Sequence, residues 1–129
     1  MRTLVRSRLA DPVDRPYSQG VVGGGLIFVS GQVPTDASGA VVGTDAEAQA
    51  DQVIDRIAAV LDGAGASLDD VCRLTVYLVD FADFAAVNAA VARRFAAPYP
   101  ARTTVAAGLV RPELRVEIDA IAALPHTQP

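Results

Sequence analysis

The chain of 129 residues contains no lysine, one histidine (His126) and one cysteine (Cys72). Without lysine it cannot form the Schiff base of a pyridoxal-phosphate enzyme or aldolase, and it has no phosphate-binding loop of the Walker type. One thiol and one imidazole cannot assemble a metal cluster. A catalytic triad would depend on His126, close to the C-terminus, where chains commonly fray. We therefore expect a protein without cofactor or metal, whose chemistry relies on arginine, carboxylates, hydroxyls, backbone amides and water.

Charge and hydropathy exclude further classes. Fifteen acidic residues against 11 basic ones give a net charge of -4, which disfavours nucleic acid as a partner. No apolar run approaches the roughly 18 residues that span a bilayer, and the first residues lack a secretory signal. A lone cysteine is typical of the cytoplasm. We expect a single soluble cytoplasmic domain over residues 1–129, without a membrane partner.

The first half of the chain predicts strands followed by a long helix. Residues 26–30 form a β-rich run, residues 23–25 are three glycines typical of a hairpin turn, and residues 3–8 fit an edge strand. Thr44 is the predicted N-cap of the helix, with Glu47 completing a capping box. The predicted buried stripe of this helix consists of Val53, Ile57, Val60, Leu61 and Ala64.

The second half predicts three strands and a second helix. Residues 71–79 alternate as in a strand, and Cys72 is predicted to lie on its apolar, buried face. Asp80 is the predicted N-cap of the second helix, and residues 102–109 and 115–122 are the last two strands. The predicted buried positions of the second helix are Phe84, Val87, Val91 and Phe95.

These elements predict an α+β fold in which two helices cover one face of a β-sheet. The other face would carry Thr75, Tyr77 and Ile121 beside Arg102 and Glu117. Such a surface is too apolar for free solvent and too polar for an internal layer. We therefore expect another copy of the chain to cover it, with sites at the interfaces of a homo-oligomer.

Two charged residues are candidates for chemistry. Arg102 begins a strand with no acidic neighbour in sequence, and its guanidinium can hold a carboxylate through two parallel donors. The alternative is a solvated strand-end arginine or an interface salt bridge. Glu117 lies inside a β-forming run and can act as a general base or hold a water. Alternatively, Glu117 is a surface residue or pairs with Arg73 or Arg115 on a neighbouring strand.

Three polar residues are weaker candidates. Tyr17 lies in a loop and Ser30 ends a strand, and each can donate a hydrogen bond to a ligand, although such residues are more often structural. Asn88 interrupts the apolar face of the second helix, where it either caps a strand end or contacts a ligand.

Five short motifs follow one another along the chain: residues 16–19 (Pro-Tyr-Ser-Gln), 28–34 (Phe-Val-Ser-Gly-Gln-Val-Pro), 83–88 (Asp-Phe-Ala-Ala-Val-Asn), 100–105 (Pro-Ala-Arg-Thr-Thr-Val) and 116–122 (Val-Glu-Ile-Asp-Ala-Ile-Ala). Read together, these motifs resemble the Rid/YjgF family of reactive-intermediate deaminases. The resemblance spans roughly residues 11–124, with the motifs in order and at family spacing.

The resemblance implies a chorismate-mutase-like α+β domain that assembles as a homotrimer with clefts between subunits. It also implies hydrolysis of 2-enamino or 2-imino acids, such as 2-aminoacrylate and 2-iminobutanoate, to 2-keto acids and ammonia without a cofactor. In this family Arg102 would hold the substrate carboxylate and Glu117 would position the attacking water. The implied cleft-lining residues are Tyr17, Ser30, Gly31, Asn88 and Thr104.

The chain departs from the family pattern at several positions. Arg15 stands where the family usually has glycine, Thr104 replaces a small residue or cysteine, and Val91 replaces a common aromatic. Ala106 and Leu109 replace a frequent glutamate and arginine. These changes bear on which substrates the site accepts.

Two other functions stay open at the level of sequence. The first is a non-catalytic binder of small keto or amino acids, which would use Arg102 but not require Glu117. The second is an endoribonuclease, an activity ascribed to some relatives. The net charge of -4, the absence of lysine and the lack of a well-placed histidine count against it.

Overall fold

The computed structural model describes residues 1–9, 11 and 14–125, so His126 lies outside the described residues. Six strands form one sheet in the order β1-β2-β3-β6-β4-β5, in which only the β4–β5 pair is parallel among the described residues. The elements are β1 (Thr3–Leu4), β2 (Gly20–Gly23), β3 (Leu26–Gln32), α1 (Ala46–Gly63), β4 (Val71–Leu78), α2 (Phe84–Arg94), β5 (Ala101–Ala106) and β6 (Val116–Ala123).

The two helices pack side by side on one sheet face, as predicted. Strands β3, β4 and β6 alternate between this buried face and an uncovered face, where Phe28 is 40% exposed. Neither helix of the described residues is long and apolar enough to cross a membrane. The sheet contributes to the core the side chains of Ile27, Val29, Val71, Leu74, Val76, Leu78, Val116, Ile118, Ala120 and Ala122.

The first three strands partly differ from expectation. The edge strand predicted over residues 3–8 is shorter, because only Thr3–Leu4 pairs with β2 and Val5 follows with one hydrogen bond to Gly20. Strand β2 was not predicted, because its four residues begin and end with glycine and continue directly into the glycine cluster. The predicted hairpin turn is confirmed, with Gly24 and Gly25 at φ values of 61° and 78°.

The predicted capping of α1 is wrong by one residue. Asp45 is the N-cap, and its carboxylate accepts a hydrogen bond of 2.8 Å from the backbone N–H of Ala48. A carboxylate at this position both satisfies a free N–H and complements the helix dipole, which favours Asp45 over Thr44. Glu47 lies in the first turn. The predicted stripe is buried except for Ala64, which is the half-buried C-cap.

Cys72 is exposed, which contradicts its predicted place in the core. The register of β4 against β6 shifts between Val71 and Arg73. This irregularity turns Val71 toward the core and Cys72 away from it, and regular alternation resumes at Leu74. A bulge of this kind leaves no mark in the hydrophobic pattern.

The second helix begins later than predicted. Asp80 accepts a hydrogen bond of 2.9 Å from the N–H of Ala82 and thereby caps a 3₁₀ turn that leads into α2. Three of the four predicted apolar positions are buried, but Phe84 is 42% exposed. Its ring lies instead beside the guanidinium of Arg102.

Gly63 provides a test of how closely the N-terminal segment crosses α1. A Cβ at this position would lie 2.5 Å from the Arg6 carbonyl oxygen and 2.8 Å from the Ser7 Cβ. We expect Gly63→Ala to lower the free energy of unfolding by about 1–3 kcal/mol, because this overpacking exceeds the gain in helix propensity. Denaturant unfolding measures the effect, with the exposed Asp62→Ala as control. A stabilised Gly63→Ala variant would contradict the close crossing.

Candidate active site

Arg102 is held by neutral groups on the helix-covered side of the sheet. It lies on β5 opposite Leu74, a core residue of β4. Its Nε donates a hydrogen bond of 3.0 Å to Thr104 Oγ1, and its Nη2 donates to Asn88 Oδ1 on α2. The guanidinium carbon lies 5.4 Å from the centre of the Phe84 ring, a cation–π distance. Three of the residues singled out in the sequence, Asn88, Arg102 and Thr104, are therefore in direct contact.

The positive charge of Arg102 is not balanced by a carboxylate. Among the described residues, no acidic group lies within ion-pair distance of it, whereas Arg94 and Arg115 each pair with aspartate. Partial burial lowers the pKa of Arg102 from its ordinary value, because the charged form is removed from water. A half-buried cation with only neutral partners favours the approach of an anion.

Glu117 lies on the opposite, uncovered face of the sheet. Its cross-strand partner on β4 is Tyr77, and its carboxylate packs directly against Gly31. An added Cβ at Gly31 would collide with that carboxylate, so a larger residue at this position would displace the Glu117 side chain. Burial, and secondly the charge of Asp119, raise the pKa of Glu117 above its ordinary value. Glu117 is thus suited to exchange a proton.

Tyr17 and Ser30 line a cleft close to Gly31. The cleft has a volume of about 430 Å³, and Phe28 forms part of its wall. The Ser30 hydroxyl donates a hydrogen bond of 2.6 Å to the Ser18 carbonyl, while Tyr17 is 47% exposed. Ser30 lines the cleft and is followed in the chain by Gly31, the residue that lies against the Glu117 carboxylate.

A buried glutamine supports this cleft, and sequence reasoning missed it. Gln32 is only 2% exposed, and its amide donates hydrogen bonds to Gln19 Oε1 and to the Ser30 carbonyl, at 2.9 and 3.1 Å. Its carbonyl oxygen accepts a 3.0 Å hydrogen bond from Arg56 Nε on α1. Burial lowers the pKa of Arg56. Alternation from Ile27 and Val29 places position 32 on the outward face, and the register shift between Val29 and Gln32 turns it inward, so the sequence pattern carried no signal for it.

Arg15, the departure nearest to Tyr17 in sequence, points into solvent. Its side chain is 68% exposed and lies 3.9 Å from the Asp14 carboxylate. It is not among the residues that line the cleft.

The candidate residues thus form two groups on opposite faces of one sheet. Sequence reasoning placed Arg102 beside Glu117 on the uncovered face, and that expectation is wrong. Arg102 shares the orientation of Leu74, whereas Glu117 shares the orientation of Tyr77. Strand β4 also separates β5 from β6, which adds a lateral distance of about 10 Å. Arg102 and Glu117 of one chain therefore do not converge on one small molecule.

Asp119 provides a test of the electrostatics around Glu117. It lies two residues further along the same strand face, and Tyr77 donates a 2.8 Å hydrogen bond to its Oδ2. The charge of Asp119 contributes to the raised pKa of Glu117, so Asp119→Asn is expected to lower that pKa while the effect of burial remains.

Carbon-13 NMR titration measures this shift directly, because the chain has only three glutamates, of which Glu117→Gln assigns the relevant one. Asp119→Glu retains the charge and serves as the control. A pKa of Glu117 that is unchanged or higher in Asp119→Asn would contradict the assigned cause.

Comparison with known proteins agrees with the motif evidence. Residues 9–124 match the family model described as Endoribonuclease L-PSP. A RutC family protein of Pyrococcus horikoshii is 42% identical over 108 residues, which cover 83% of this chain and 86% of that protein. The 2-iminobutanoate/2-iminopropanoate deaminase of Escherichia coli is 38% identical over 110 residues, with coverage of 83% and 86%.

Solved structures share the fold. RidA from a Psychrobacter species has a TM-score of 0.85 at 33% identity, covering 94% of this chain and 98% of that one. A Rid family protein of unknown function from Yersinia pestis has a TM-score of 0.87 at 31% identity, covering 95% and 99%. The single α+β domain, the ordered motifs and these matches lead to one conclusion: the chain belongs to the Rid/YjgF family.

Proposed function

We propose that the protein hydrolyses 2-imino acids, and the 2-enamino acids in equilibrium with them, to 2-keto acids and ammonia. The observation that carries this proposal is Arg102, a half-buried guanidinium with only neutral partners. Its free donors suit a substrate carboxylate, which would supply the missing negative charge. The deaminase name of relatives at 37–38% identity supports the same reaction class.

In the proposed reaction Arg102 binds the carboxylate and orients the C=N bond. A water attacks the imine carbon while Glu117 accepts one of its protons, and the imine nitrogen takes up a proton from solvent as the C=N bond becomes single. The resulting carbinolamine then collapses: Glu117 returns its proton to the departing nitrogen, the C–N bond breaks, and the hydroxyl proton passes to solvent as the C=O bond of the 2-keto acid forms and ammonia is released. Water is the only co-reactant. The raised pKa of Glu117 favours this two-way proton transfer.

We further propose that each complete site lies between two copies of the chain in a homotrimer. One copy would supply Asn88, Arg102 and Thr104, and another would supply Glu117 with the Tyr17, Ser30 and Gly31 cleft. The placement of these groups on opposite faces supports this arrangement, because a single chain holds each half without the other. The half-apolar uncovered face, with Phe28 and Ile121, is suited to contact between copies.

The reaction is tested by generating 2-aminoacrylate or 2-iminobutanoate in situ with a serine/threonine dehydratase and following keto-acid release. Addition of the wild-type protein is expected to accelerate release above the buffer rate. Release at the buffer rate, together with measurable binding of 2-oxobutanoate, would instead identify a non-catalytic binder. Cleavage of labelled RNA at an Arg102-independent rate would favour the endoribonuclease alternative.

A further inference from the structure

A second feature adjoins Arg102, an apolar pocket that the hydrolysis itself does not require. It has a volume of about 340 Å³. A water molecule occupies about 30 Å³ in the liquid, so the pocket exceeds the space that a methyl or ethyl group needs. Besides Asn88 and Arg102, its lining consists of Leu74, Val91, Ala92, Tyr99 and Pro100.

Arg102 is the one charged residue among those that line the pocket. Asn88 and Arg102 bind each other through Asn88 Oδ1, and the remaining lining residues carry no ionisable group except the Tyr99 phenol. No lining carboxylate could pair with a cationic ligand side chain, and no second cation could pair with another carboxylate. A charged ligand side chain would therefore lose its hydration without compensation. The ligand that fits has one carboxylate and an apolar substituent.

The space results from small side chains on α2. Val91 and Ala92 follow Asn88 by three and four positions, which places them on the same helix side one turn away. Val91 is 6% exposed and Leu74 is 1% exposed, so both lie in the floor, while Tyr99, at 55%, lies at the rim. A longer side chain at position 91 or 92 would occupy the pocket.

We propose that this pocket is the subsite for the substrate side chain, and that it selects branched aliphatic and aromatic 2-imino acids over short and charged ones. The inference rests on the proposed role of Arg102 as the carboxylate ligand, and it deepens the proposed function by naming the substrate class. The class of reaction that supplies such imines is the two-electron oxidation of hydrophobic amino acids at the Cα–N bond, because elimination requires a leaving group on Cβ that their side chains lack.

Equilibrium binding of stable 2-keto acids to the assembled protein tests this subsite without relying on turnover. The probes are 2-oxobutanoate, 4-methyl-2-oxopentanoate, phenylpyruvate and, as the charged comparison, 2-oxoglutarate. The two larger apolar acids are expected to bind about tenfold more tightly than 2-oxobutanoate, since each methylene in an apolar pocket adds affinity. We expect 2-oxoglutarate to bind more weakly than all three.

Ala92→Phe fills the pocket from an exposed position, so its folding is expected to be normal. In this variant the affinity ratio of 4-methyl-2-oxopentanoate to 2-oxobutanoate is expected to fall from about ten to about one. Val91→Phe should have the same effect from the floor. The matched control is Ala89→Phe, which is exposed on the same helix and does not line the pocket. It should leave the ratio at the wild-type value.

Equal affinities for short and long acids in the wild type would overturn the subsite, as would an unchanged ratio in Ala92→Phe. Binding measurements on Arg102→Ala distinguish a failure of the subsite inference from a failure of the proposed function. If Arg102→Ala binds every keto acid as well as the wild type does, the carboxylate role of Arg102 fails, and the subsite inference with it. If the keto acids bind with the expected ratio but no imine is hydrolysed, the subsite stands and the deaminase proposal fails.

Discussion

Arg102→Ala is expected to reduce kcat/KM for 2-iminobutanoate by about 10²–10³-fold, because it removes a partly buried charge that has no substitute nearby. The other pocket-lining side chains that can donate a hydrogen bond, Asn88 and Tyr99, are neutral, so the substrate carboxylate would be left without a countercharge. Since the carboxylate is bound in both the ground and transition states, most of the loss should appear as a higher KM. Steady-state kinetics with dehydratase-generated substrate separates KM from kcat.

Arg102→Lys tests whether the charge alone, without the shape of the guanidinium, supports activity. Lysine keeps the charge but cannot hold Thr104 and Asn88 while presenting two parallel donors to a carboxylate. We expect activity between those of the wild type and Arg102→Ala. The control is Arg93→Ala, which removes an exposed arginine of α2 that pairs with Asp51. Wild-type kinetics in Arg102→Ala would show that the guanidinium does not bind the substrate.

Glu117→Gln is expected to lower kcat by about 10²–10⁴-fold with little change in KM, since it removes the proton acceptor while preserving size. In the wild type, activity should fall as the pH falls through the raised pKa of Glu117, because only the carboxylate can accept a proton from water. This acidic limb of the pH profile should be absent from the residual activity of the variant.

The unfolding temperature of Glu117→Gln distinguishes this loss of activity from misfolding. A pKa that is higher in the folded than in the unfolded chain stabilises the fold at low pH, and that contribution is lost as the pH rises through the folded value. At neutral pH the ionised Glu117 is therefore unfavourable to the fold, and Glu117→Gln should unfold at or above the wild-type temperature. Glu113→Gln, which removes an exposed carboxylate beside Arg111, is the matched control for activity. An active Glu117→Gln variant would exclude Glu117 as the base.

The sequence predicted well those parts of the fold that depend on regular alternation. Strand β6 alternates without interruption, so the orientation of Glu117 away from the core followed directly from its neighbours. The burial of Val87, Val91 and Phe95 likewise followed from helical spacing. Hydrophobic periodicity is the physical signal in both cases, and it was strong here.

Features that depend on pairing between distant segments could not be predicted in this way. The register irregularity at Val71 exposes Cys72, and nothing in the local pattern reveals it. The orientation of Arg102 depends on how β5 pairs with β4 in parallel, since β5 itself has no apolar face to fix its phase. For the same reason, motif order identified the candidate residues but did not show that they occupy opposite faces.

The central claim, a site shared between copies, is tested most directly by mixing two inactive variants. Arg102→Ala and Glu117→Gln chains with different affinity tags are co-expressed, and assemblies that carry both tags are purified and assayed. If each site takes Arg102 from one copy and Glu117 from another, a doubly tagged homotrimer keeps one intact site at its three interfaces, so about a third of the wild-type activity should return. Doubly tagged assemblies no more active than the two variants alone would contradict the shared site.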